Sequence, residues 1–173
     1  MQPPLSLVHR GAAVEILPGA ARAGMWALVY SPLESGLLAG RFSRQRVEAL
    51  PDGDWRRRRP LFQAPRLQRT LALVERLRPL ADELGVSLAA LAIAWTLSWP
   101  GVTGAIAGAR TPAQVQEWIG AAALRLDDAT LDAIADALAQ TRAGIGPRRP
   151  PRTDPAPARG MDPLGVRPQR AGR

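Results

Sequence analysis

The segment YSPLESGLLAGR, which begins at Tyr30, holds several side chains that could bind an anionic or aromatic ligand. The hydroxyls of Ser31 and Ser35 can donate hydrogen bonds, and the guanidinium of Arg41 can pair with an anion. The ring of Tyr30 offers a flat face for stacking, while Pro32 restricts the backbone of the turn. This combination predicts a rigid turn whose donors are available to a ligand.

A second group of donors lies further along the chain, in the segment GARTPAQ that begins at Gly108. Thr111 is a typical N-cap, Pro112 suits the first helical position, and Gln114 completes a capping box, so a helix is predicted to begin here. Gly108 allows a ligand to approach the backbone, and Arg110 adds a positive charge near the free N–H groups of the helix. The segment predicts a phosphate site, although the same pattern also begins helices that bind nothing.

Both segments follow short apolar runs that are predicted to be strands. The predicted strands are residues 3–9, 25–30 and 102–108, and helical patterns separate them. Nearly continuous apolar strands that alternate with helices indicate an α/β fold with a parallel sheet. Because ligands bind at the carboxyl ends of such strands, the two donor-rich segments are expected to face one site.

The rest of the pattern predicts helices and one long loop. Helices are predicted over residues 12–24, from Leu67 to Leu84, from the cap at Ser87 to the stop at Pro100 and Gly101, from Thr111, and over residues 127–140. Pro79 is expected to kink or divide the second of these helices. The third is apolar nearly all round, as a helix packed deep against a sheet would be. Residues 41–65 are polar and interrupted by Pro and Gly, so they are predicted to form a surface loop.

Composition limits the chemistry that the chain can perform. Its 173 residues, 46% of them apolar, suffice for one domain with a hydrophobic core. The chain has no Cys and a single His, His9, which excludes disulfides and argues against a zinc site, so no metal is expected. Since no apolar run is long enough to span a bilayer and no signal peptide is recognisable, we expect a cytoplasmic protein without a membrane partner.

The formal net charge of +8 is concentrated at the C-terminus. All 23 basic residues are Arg, and residues 144–173 hold seven of them against two aspartates, together with seven of the 17 prolines. This composition predicts a disordered tail over residues 144–173, after a folded domain of residues 1–143. Such a tail could bind nucleic acid or an acidic membrane through phosphates, but no aromatic residue interleaves its arginines, so a solvated linker is the favoured interpretation.

Four motifs stand in a specific order along the chain: QPPLSLVHR, YSPLESGLLAGRF, LGVSLAALAIAWTLSWPGVTGAIAGARTPAQV and LDDATLDAIADAL. From about Gln2 to about Leu138 they resemble the C-terminal half of the aldo/keto reductases, in the branch that includes the potassium-channel β subunits and bacterial relatives. The resemblance implies a TIM-type (β/α)8 barrel, of which this chain holds strands six to eight with their helices. It also implies an NADP(H) cofactor that is bound without a Rossmann fold.

The resemblance further implies which side chains contact the cofactor. Gln2 matches the glutamine that hydrogen-bonds the nicotinamide amide, and Tyr30 matches the aromatic residue that stacks on the nicotinamide ring. The loop around the pyrophosphate is matched by Ser31, Pro32, Leu33, Ser35 and Arg41. The segment that holds the 2′-phosphate and the adenine ribose, which favours NADP over NAD, is matched by Gly108, Arg110, Gln114 and Glu117. Trp118 stands where many members have an Asn that contacts adenine, and one arginine of the run Arg56–Arg59 is implied to fold over the cofactor.

The catalytic residues of the family have no complete counterpart in this chain. Members use an Asp, a Tyr, a Lys and a His, with the Tyr as general acid and the Lys lowering its pKa. This sequence has no Lys, its one Tyr is the stacking residue Tyr30, and His9 matches a position with an expected structural or surface role. The chain is therefore expected to be a truncated reductase that needs its N-terminal half to act on a small carbonyl substrate. Open sheet edges and an exposed apolar face are expected to drive self-association or pairing with that half.

Three functions remain open from the sequence. The first is an NADP-dependent carbonyl reductase whose catalytic half is supplied from elsewhere. The second is a non-catalytic nucleotide-binding or regulatory module of the same fold. The third is a basic nucleic-acid-binding protein, which depends on the Arg-rich tail alone.

Overall fold

The computed structural model describes residues 1–152, which form helices around a small parallel sheet. The regular elements are α1 (Ile16–Arg22), β1 (Ala27–Tyr30), α2 (Arg44–Glu48), α3 (Arg66–Glu83), α4 (Leu88–Leu97), β2 (Val102–Ile106), α5 (Pro112–Trp118) and α6 (Asp128–Thr141). Short 3₁₀ turns occupy Gly11–Ala13, Glu34–Ala39, Trp55–Arg58, Pro60–Phe62 and Ile119–Ala122. The predicted α/β class is confirmed, and the described residues contain a two-stranded sheet rather than a closed barrel.

The two strands are parallel neighbours although they are far apart in the sequence. Their register pairs Ala27 with Val102 and Tyr30 with Ile106, with an irregularity directly after Ala27. A third segment lies along the other edge of β1, where Pro4 and Tyr30 form a parallel bridge. Parallel pairing brings the carboxyl ends of these segments to the same edge of the sheet.

The first predicted strand, residues 3–9, is much shorter in the structure. Its two prolines have no N–H to donate to a sheet ladder. Two hydrogen bonds join it to Tyr30, through the carbonyl of Pro3 (3.1 Å) and the N–H of Leu5 (3.2 Å). The chain then turns between Ser6 and His9, whose backbones exchange two hydrogen bonds, so no extended strand follows.

The helix α3 continues through Pro79, so of the two outcomes predicted for this proline, a kink or a division, the division does not occur. A proline inside a helix removes one backbone hydrogen bond and crowds the preceding turn. Leu77 and Ala81, on either side of the proline, are buried in the main core. Their burial offsets the lost hydrogen bond, which explains why the helix does not end there.

The helix α4 is the central element of the main core. It begins at the predicted cap, where the Ser87 hydroxyl accepts a hydrogen bond from the N–H of Ala90 at 3.0 Å, and nine of its ten residues are buried. The core lies between β1, α3, α4 and α6, and its fully buried side chains include Val29, Leu73, Leu91, Trp95 and Ile134. Within residues 1–152 no single helix combines the length and apolar composition needed to cross a membrane, and α3 and α4 do so only as a pair bent by 92°.

Residues 41–65, predicted to form a surface loop, contain α2 and two 3₁₀ turns. Val47, Leu50 and Phe62 from this segment are buried with Leu37 in a second, smaller core. These apolar residues are spaced too irregularly to show a helical or strand period. The sequence pattern therefore does not reveal that the segment folds back onto the loop after β1.

A buried arginine joins the two ends of the described chain. The guanidinium of Arg10 donates hydrogen bonds to the carbonyls of Ala143 (3.1 Å) and Gly146 (3.3 Å). Its backbone N–H donates to the carbonyl of Ile145 (3.1 Å). Burial, followed by the charge of Arg148, lowers the pKa of Arg10 to about 10, so the side chain stays charged at neutral pH.

Residues 144–152 belong to the predicted disordered tail, but the structure places them against the folded domain. In addition to the contacts made by the buried arginine, the guanidinium of Arg149 pairs with the carboxylates of Asp128 and Asp132 on α6. These contacts correct the expectation of disorder for this part of the tail, because composition does not report contacts between distant parts of a chain. The rest of the predicted tail, residues 153–173, lies outside the described residues.

One face of the sheet is uncovered by the described residues. Side chains alternate along β1, so Ala27 and Val29 are buried against the helices while Leu28 and Tyr30 are exposed. Ile106 of β2 is also exposed, and it lies on the same face because it pairs with Tyr30. The exposed side of the sheet is therefore largely apolar.

A substitution at Gly144 tests the contact between residues 144–152 and the turn near the N-terminus. Its φ is +68°, and a Cβ at this position would collide with the backbone of Val8. We expect Gly144→Ala to lower the free energy of unfolding by about 2–4 kcal/mol, because it combines a left-handed backbone with a steric clash. Urea unfolding of the two proteins measures the difference.

Gly120→Ala is the matched control for this substitution. Gly120 does not have a left-handed backbone, and a Cβ there would meet nothing within 4 Å. This variant should change the free energy of unfolding by less than about 1 kcal/mol. Equal stability of Gly144→Ala and the unaltered chain would contradict the packing of residues 144–152.

Candidate functional site

The carboxyl ends of β1 and β2 open into a cleft of about 690 Å³. Ten of the eleven residues predicted to bind a cofactor line it, namely Tyr30, Ser31, Pro32, Leu33, Ser35, Arg41, Gly108, Arg110, Gln114 and Glu117. They come from two distant segments that the pairing of β1 with β2 brings together. The exception is Gln2, which is exposed beside β1 and does not line the cleft.

The loop after β1 has a backbone conformation that few residues adopt readily. Ser31, Glu34 and Ser35 have φ values of 57°, 45° and 58°, in the left-handed region, and Gly36 follows at 97°. For residues other than glycine, such conformations cost about 1–3 kcal/mol each and are concentrated at functional sites. Hydrogen bonds from Glu34 N–H to the Ser31 carbonyl (3.1 Å) and from Gly36 N–H to the Leu33 carbonyl (2.9 Å) close the loop. The strained backbone marks this loop as a candidate binding element.

Glu34 is a buried carboxylate in this loop, and the sequence pattern does not single it out. It is 3% exposed, and its Oε1 accepts a hydrogen bond from the hydroxyl of Ser6 at 2.8 Å. The Nδ1 of His9 lies 3.9 Å from the same oxygen. These contacts join the loop to the turn at residues 6–9, so Glu34 holds the strained backbone in place. Its position inside the motif YSPLESGLLAGR is the one signal in the sequence that could have drawn attention to it.

The start of α5 follows the sequence prediction, with Thr111 as N-cap and Pro112 at the first helical position. The Thr111 hydroxyl accepts a hydrogen bond from the N–H of Gln114 at 3.3 Å. The side chain of Gln114 accepts from the N–H of Arg110 (2.7 Å) rather than from that of Thr111, so the reciprocal bond of the capping box is displaced by one residue. Gly108 has no other heavy atom within 4 Å of a Cβ position, which leaves its backbone open to a ligand.

An ion pair joins the two sides of the cleft. The guanidinium of Arg41, from the segment after β1, pairs with the carboxylate of Glu117 on α5. The side chains are 44% and 37% exposed, so the pair is held only weakly and can exchange partners with a charged ligand. Both residues are predicted cofactor contacts, and the structure brings them together.

A second ion pair lies at the wall of the cleft, where the sequence did not identify a particular residue. Arg56 is the member of the run Arg56–Arg59 that lines the cleft. The Asp54 carboxylate accepts two hydrogen bonds from its guanidinium, one of them from Nε to Oδ1 at 2.9 Å. The hydrogen bonds from Arg56, with a smaller contribution from the charge of Arg110, lower the pKa of Asp54 to about 2. The carboxylate is therefore ionised at neutral pH.

Aromatic side chains contribute flat surfaces to the cleft. Tyr30 and Trp55 line it and are 42% and 57% exposed. Trp118, at the end of α5, lines the same cleft. Such rings can stack on the aromatic groups of a ligand. Within residues 1–152 no group of His, Cys, Asp and Glu side chains is arranged to hold a metal ion.

Comparisons with known proteins all identify the same family. Residues 1–139 match the aldo/keto reductase family. A probable voltage-gated potassium channel subunit beta of Arabidopsis thaliana is 37% identical over 103 residues, which are 60% of this chain and 31% of that protein. An NADH-specific methylglyoxal reductase of Escherichia coli is 32% identical over 129 residues, which are 75% of this chain and 38% of that protein. The structure of a glycerol dehydrogenase from Gluconobacter oxydans is similar with a TM-score of 0.75 and 34% identity, over 90% of this chain and 44% of that chain.

The chain spans less than half the length of each of these relatives. They include a potassium-channel subunit and bacterial oxidoreductases, which is the branch that the sequence motifs resemble. The matched residues 1–139 contain both segments that line the cleft and the two strands that bring them together. The chain therefore belongs to the aldo/keto reductase family.

Proposed function

We propose that this chain is the cofactor-binding part of an NADP-dependent aldo/keto reductase, which reduces a carbonyl substrate. A single observation supports this function: ten residues that the family resemblance assigns to the cofactor, from two distant segments, line one cleft. NADPH, when bound, supplies the hydride that is transferred to the carbonyl carbon. The residues of this chain bind the cofactor and orient it.

The residues that follow β1 suit the nicotinamide and the pyrophosphate. The ring of Tyr30 is exposed where the strand ends, so it is available to stack on the nicotinamide. Ser31 and Ser35 lie on a left-handed turn of the backbone, and their hydroxyls can donate hydrogen bonds to a phosphate. Glu34 keeps these donors in position through its hydrogen bond with Ser6.

The residues that follow β2 suit the adenosine half of the cofactor. The open backbone at Gly108 allows a ligand to approach closely. The side chains of Gln114 and Glu117 line the same cleft. The guanidinium of Arg110 is exposed and can contact a phosphate through several N–H groups. We assign Arg110 to the 2′-phosphate, which distinguishes NADP from NAD.

The catalytic groups of the proposed reductase come from outside these 173 residues. The sequence has no Lys, and its one Tyr is Tyr30, which is assigned to stacking. The chain therefore cannot supply both the acidic Tyr and the Lys that lowers its pKa. The exposed apolar side chains of Leu28 and Ile106 provide a surface against which further strands of a reductase would pack.

A non-catalytic nucleotide-binding or regulatory module is the second candidate. The observation that favours it is the similarity to the Arabidopsis thaliana protein named a probable potassium channel subunit beta. Such a module would bind the dinucleotide in the same cleft and transmit the bound state to a partner protein. The two candidates differ in one measurement, which is turnover of NADPH once the missing catalytic residues are supplied.

Replacing Arg110 tests the assignment of the 2′-phosphate. We expect Arg110→Ala to weaken NADP⁺ binding by roughly tenfold, the effect of losing one charge-assisted hydrogen bond, and to change NAD⁺ binding by less than about twofold. Isothermal titration calorimetry with the two dinucleotides measures both effects. Arg22→Ala is the matched control, since Arg22 is exposed at the end of α1 and does not line the cleft. Equal losses for NADP⁺ and NAD⁺ in Arg110→Ala would contradict the assignment.

The isolated chain is expected to lack reductase activity. Purified protein mixed with NADPH and an aldehyde should consume NADPH no faster than the mixture without protein, because the chain has no Lys and only one Tyr. NADPH absorbance measures the rate. The full-length Escherichia coli relative, assayed with NADH and methylglyoxal, is the positive control. Turnover by the chain alone would refute the proposal that its catalytic groups lie elsewhere.

A further inference from the structure

Arg56 is the arginine of its run that a ligand in the cleft would meet. It lines the cleft, whereas Arg57, Arg58 and Arg59 are not among the lining residues. Arg57 donates a hydrogen bond to the carbonyl of Leu50 at 2.8 Å. The guanidinium carbon of Arg59 lies 5.5 Å from the centre of the Trp55 ring, and its Nη1 donates a hydrogen bond to the Ser35 hydroxyl at 3.5 Å, so Arg59 contacts two residues that line the cleft. Of the four arginines in this run, Arg56 is therefore the one that lines the cleft.

The position of Arg56 is fixed from two sides. The Asp54 carboxylate accepts hydrogen bonds from its Nε (2.9 Å) and its Nη2, and the two side chains are only 20% and 13% exposed. The centre of the Phe42 ring lies 5.4 Å from its guanidinium carbon. Phe42 packs edge-on against the buried Phe62, with ring centres 5.5 Å apart. Arg56 therefore keeps one orientation at the wall of the cleft.

Asp54 also lies within electrostatic reach of Arg110. The charge of Arg110 contributes to the low pKa of the Asp54 carboxyl, after the larger effect of the hydrogen bonds from Arg56. Asp54 is therefore an ionised carboxylate that pairs with one cleft arginine, Arg56, and is affected by the charge of a second, Arg110. A phosphate held by Arg110 would be attracted by both guanidinium groups and repelled by this carboxylate.

We propose that Asp54, acting through Arg56, reduces the preference of the cleft for a dinucleotide with a 2′-phosphate over one with a 2′-hydroxyl. Its carboxylate cancels the charge of Arg56, so Arg56 adds little to the charge that Arg110 presents to the 2′-phosphate. Arg110 and Asp54 act in opposite directions on the same phosphate, and their balance sets the selectivity of the cofactor site proposed above, on which this inference rests. Asp54 is thus a positioning residue that determines specificity without touching the cofactor.

Asp54→Asn in the full 173-residue chain isolates the charge of this residue. The Asp54 side chain accepts a hydrogen bond from the N–H of Arg56 at 3.0 Å, and an Asn oxygen can accept the same bond. We expect the dissociation constant for NADP⁺ to fall by about three- to tenfold and that for NAD⁺ to change by less than about twofold. Titration calorimetry at low salt measures both constants, and circular dichroism checks that the fold is unchanged.

Asp52→Asn is the matched control. Asp52 lies in the same segment, is 99% exposed and pairs with Arg57 at 2.7 Å, so its partner is not an arginine of the cleft. The substitution changes the net charge by the same amount and should leave the ratio of the two dissociation constants unaltered. An equal change of this ratio in both variants would overturn the inference, because overall charge would then explain it.

The possible outcomes distinguish a failure of this inference from a failure of the proposed cofactor function. If both dinucleotides bind and the ratio is unchanged or reversed in Asp54→Asn, the inference fails and the cofactor function stands. If the unaltered chain binds neither NADP⁺ nor NAD⁺, the cofactor function fails and this inference fails with it. A purely structural role of Asp54 would weaken both dinucleotides alike.

Discussion

Parallel pairing of β1 with β2 is the constraint on which the candidate site depends. The register places Tyr30 beside Ile106, so the chain leaves both strands at the same edge of the sheet. Each strand end is followed by a segment with hydrogen-bond donors and an arginine, and the cleft lies between these segments. The helix α4, which is almost wholly buried, and the core around Val29 support the pairing from one side. Without this register, the two segments would remain separate turns with no common ligand.

The loop after β1 depends on a contact from a distant part of the chain. Ser31, Glu34 and Ser35 adopt left-handed conformations that are unfavourable for residues with a side chain. Glu34 is buried and bonded to Ser6, whose segment also pairs with β1. The same N-terminal turn is held by Arg10, which bonds to carbonyls near residue 145. The conformation of the loop is therefore stabilised by contacts from both ends of the described chain.

Carboxylates control the positive charge of the cleft. Four arginines line it, and two of them, Arg41 and Arg56, form ion pairs with Glu117 and Asp54. A cluster of unpaired arginines would repel one another and destabilise the fold, so these carboxylates stabilise the protein without a ligand. In the proposed cofactor site they would also compete with a bound phosphate for the same donors. The proposed selectivity among dinucleotides would then depend on which of these ion pairs are exchanged when the ligand binds.

The amino-acid sequence by itself determined the features that are local in the chain. The caps at Ser87 and Thr111, the apolar strand before Tyr30 and the buried character of α4 follow from residue type and spacing, and the structure contains them. Ten positions of the cleft were predicted from the resemblance of two contiguous segments to the cofactor-binding segments of the family. Each motif carries its own turn chemistry, so its donors could be identified without knowing what lies opposite.

Only the tertiary structure decided the features that join distant residues. These include the burial of Glu34 against Ser6, the ion pair that fixes Arg56 at the cleft, and the packing of residues 144–152. The continuation of α3 through Pro79 was also decided by the tertiary structure. The residues on either side of the proline are buried in a core to which other helices and strands contribute. A local pattern reports propensity and periodicity, whereas these contacts depend on strand register and on which side chains share a surface after folding.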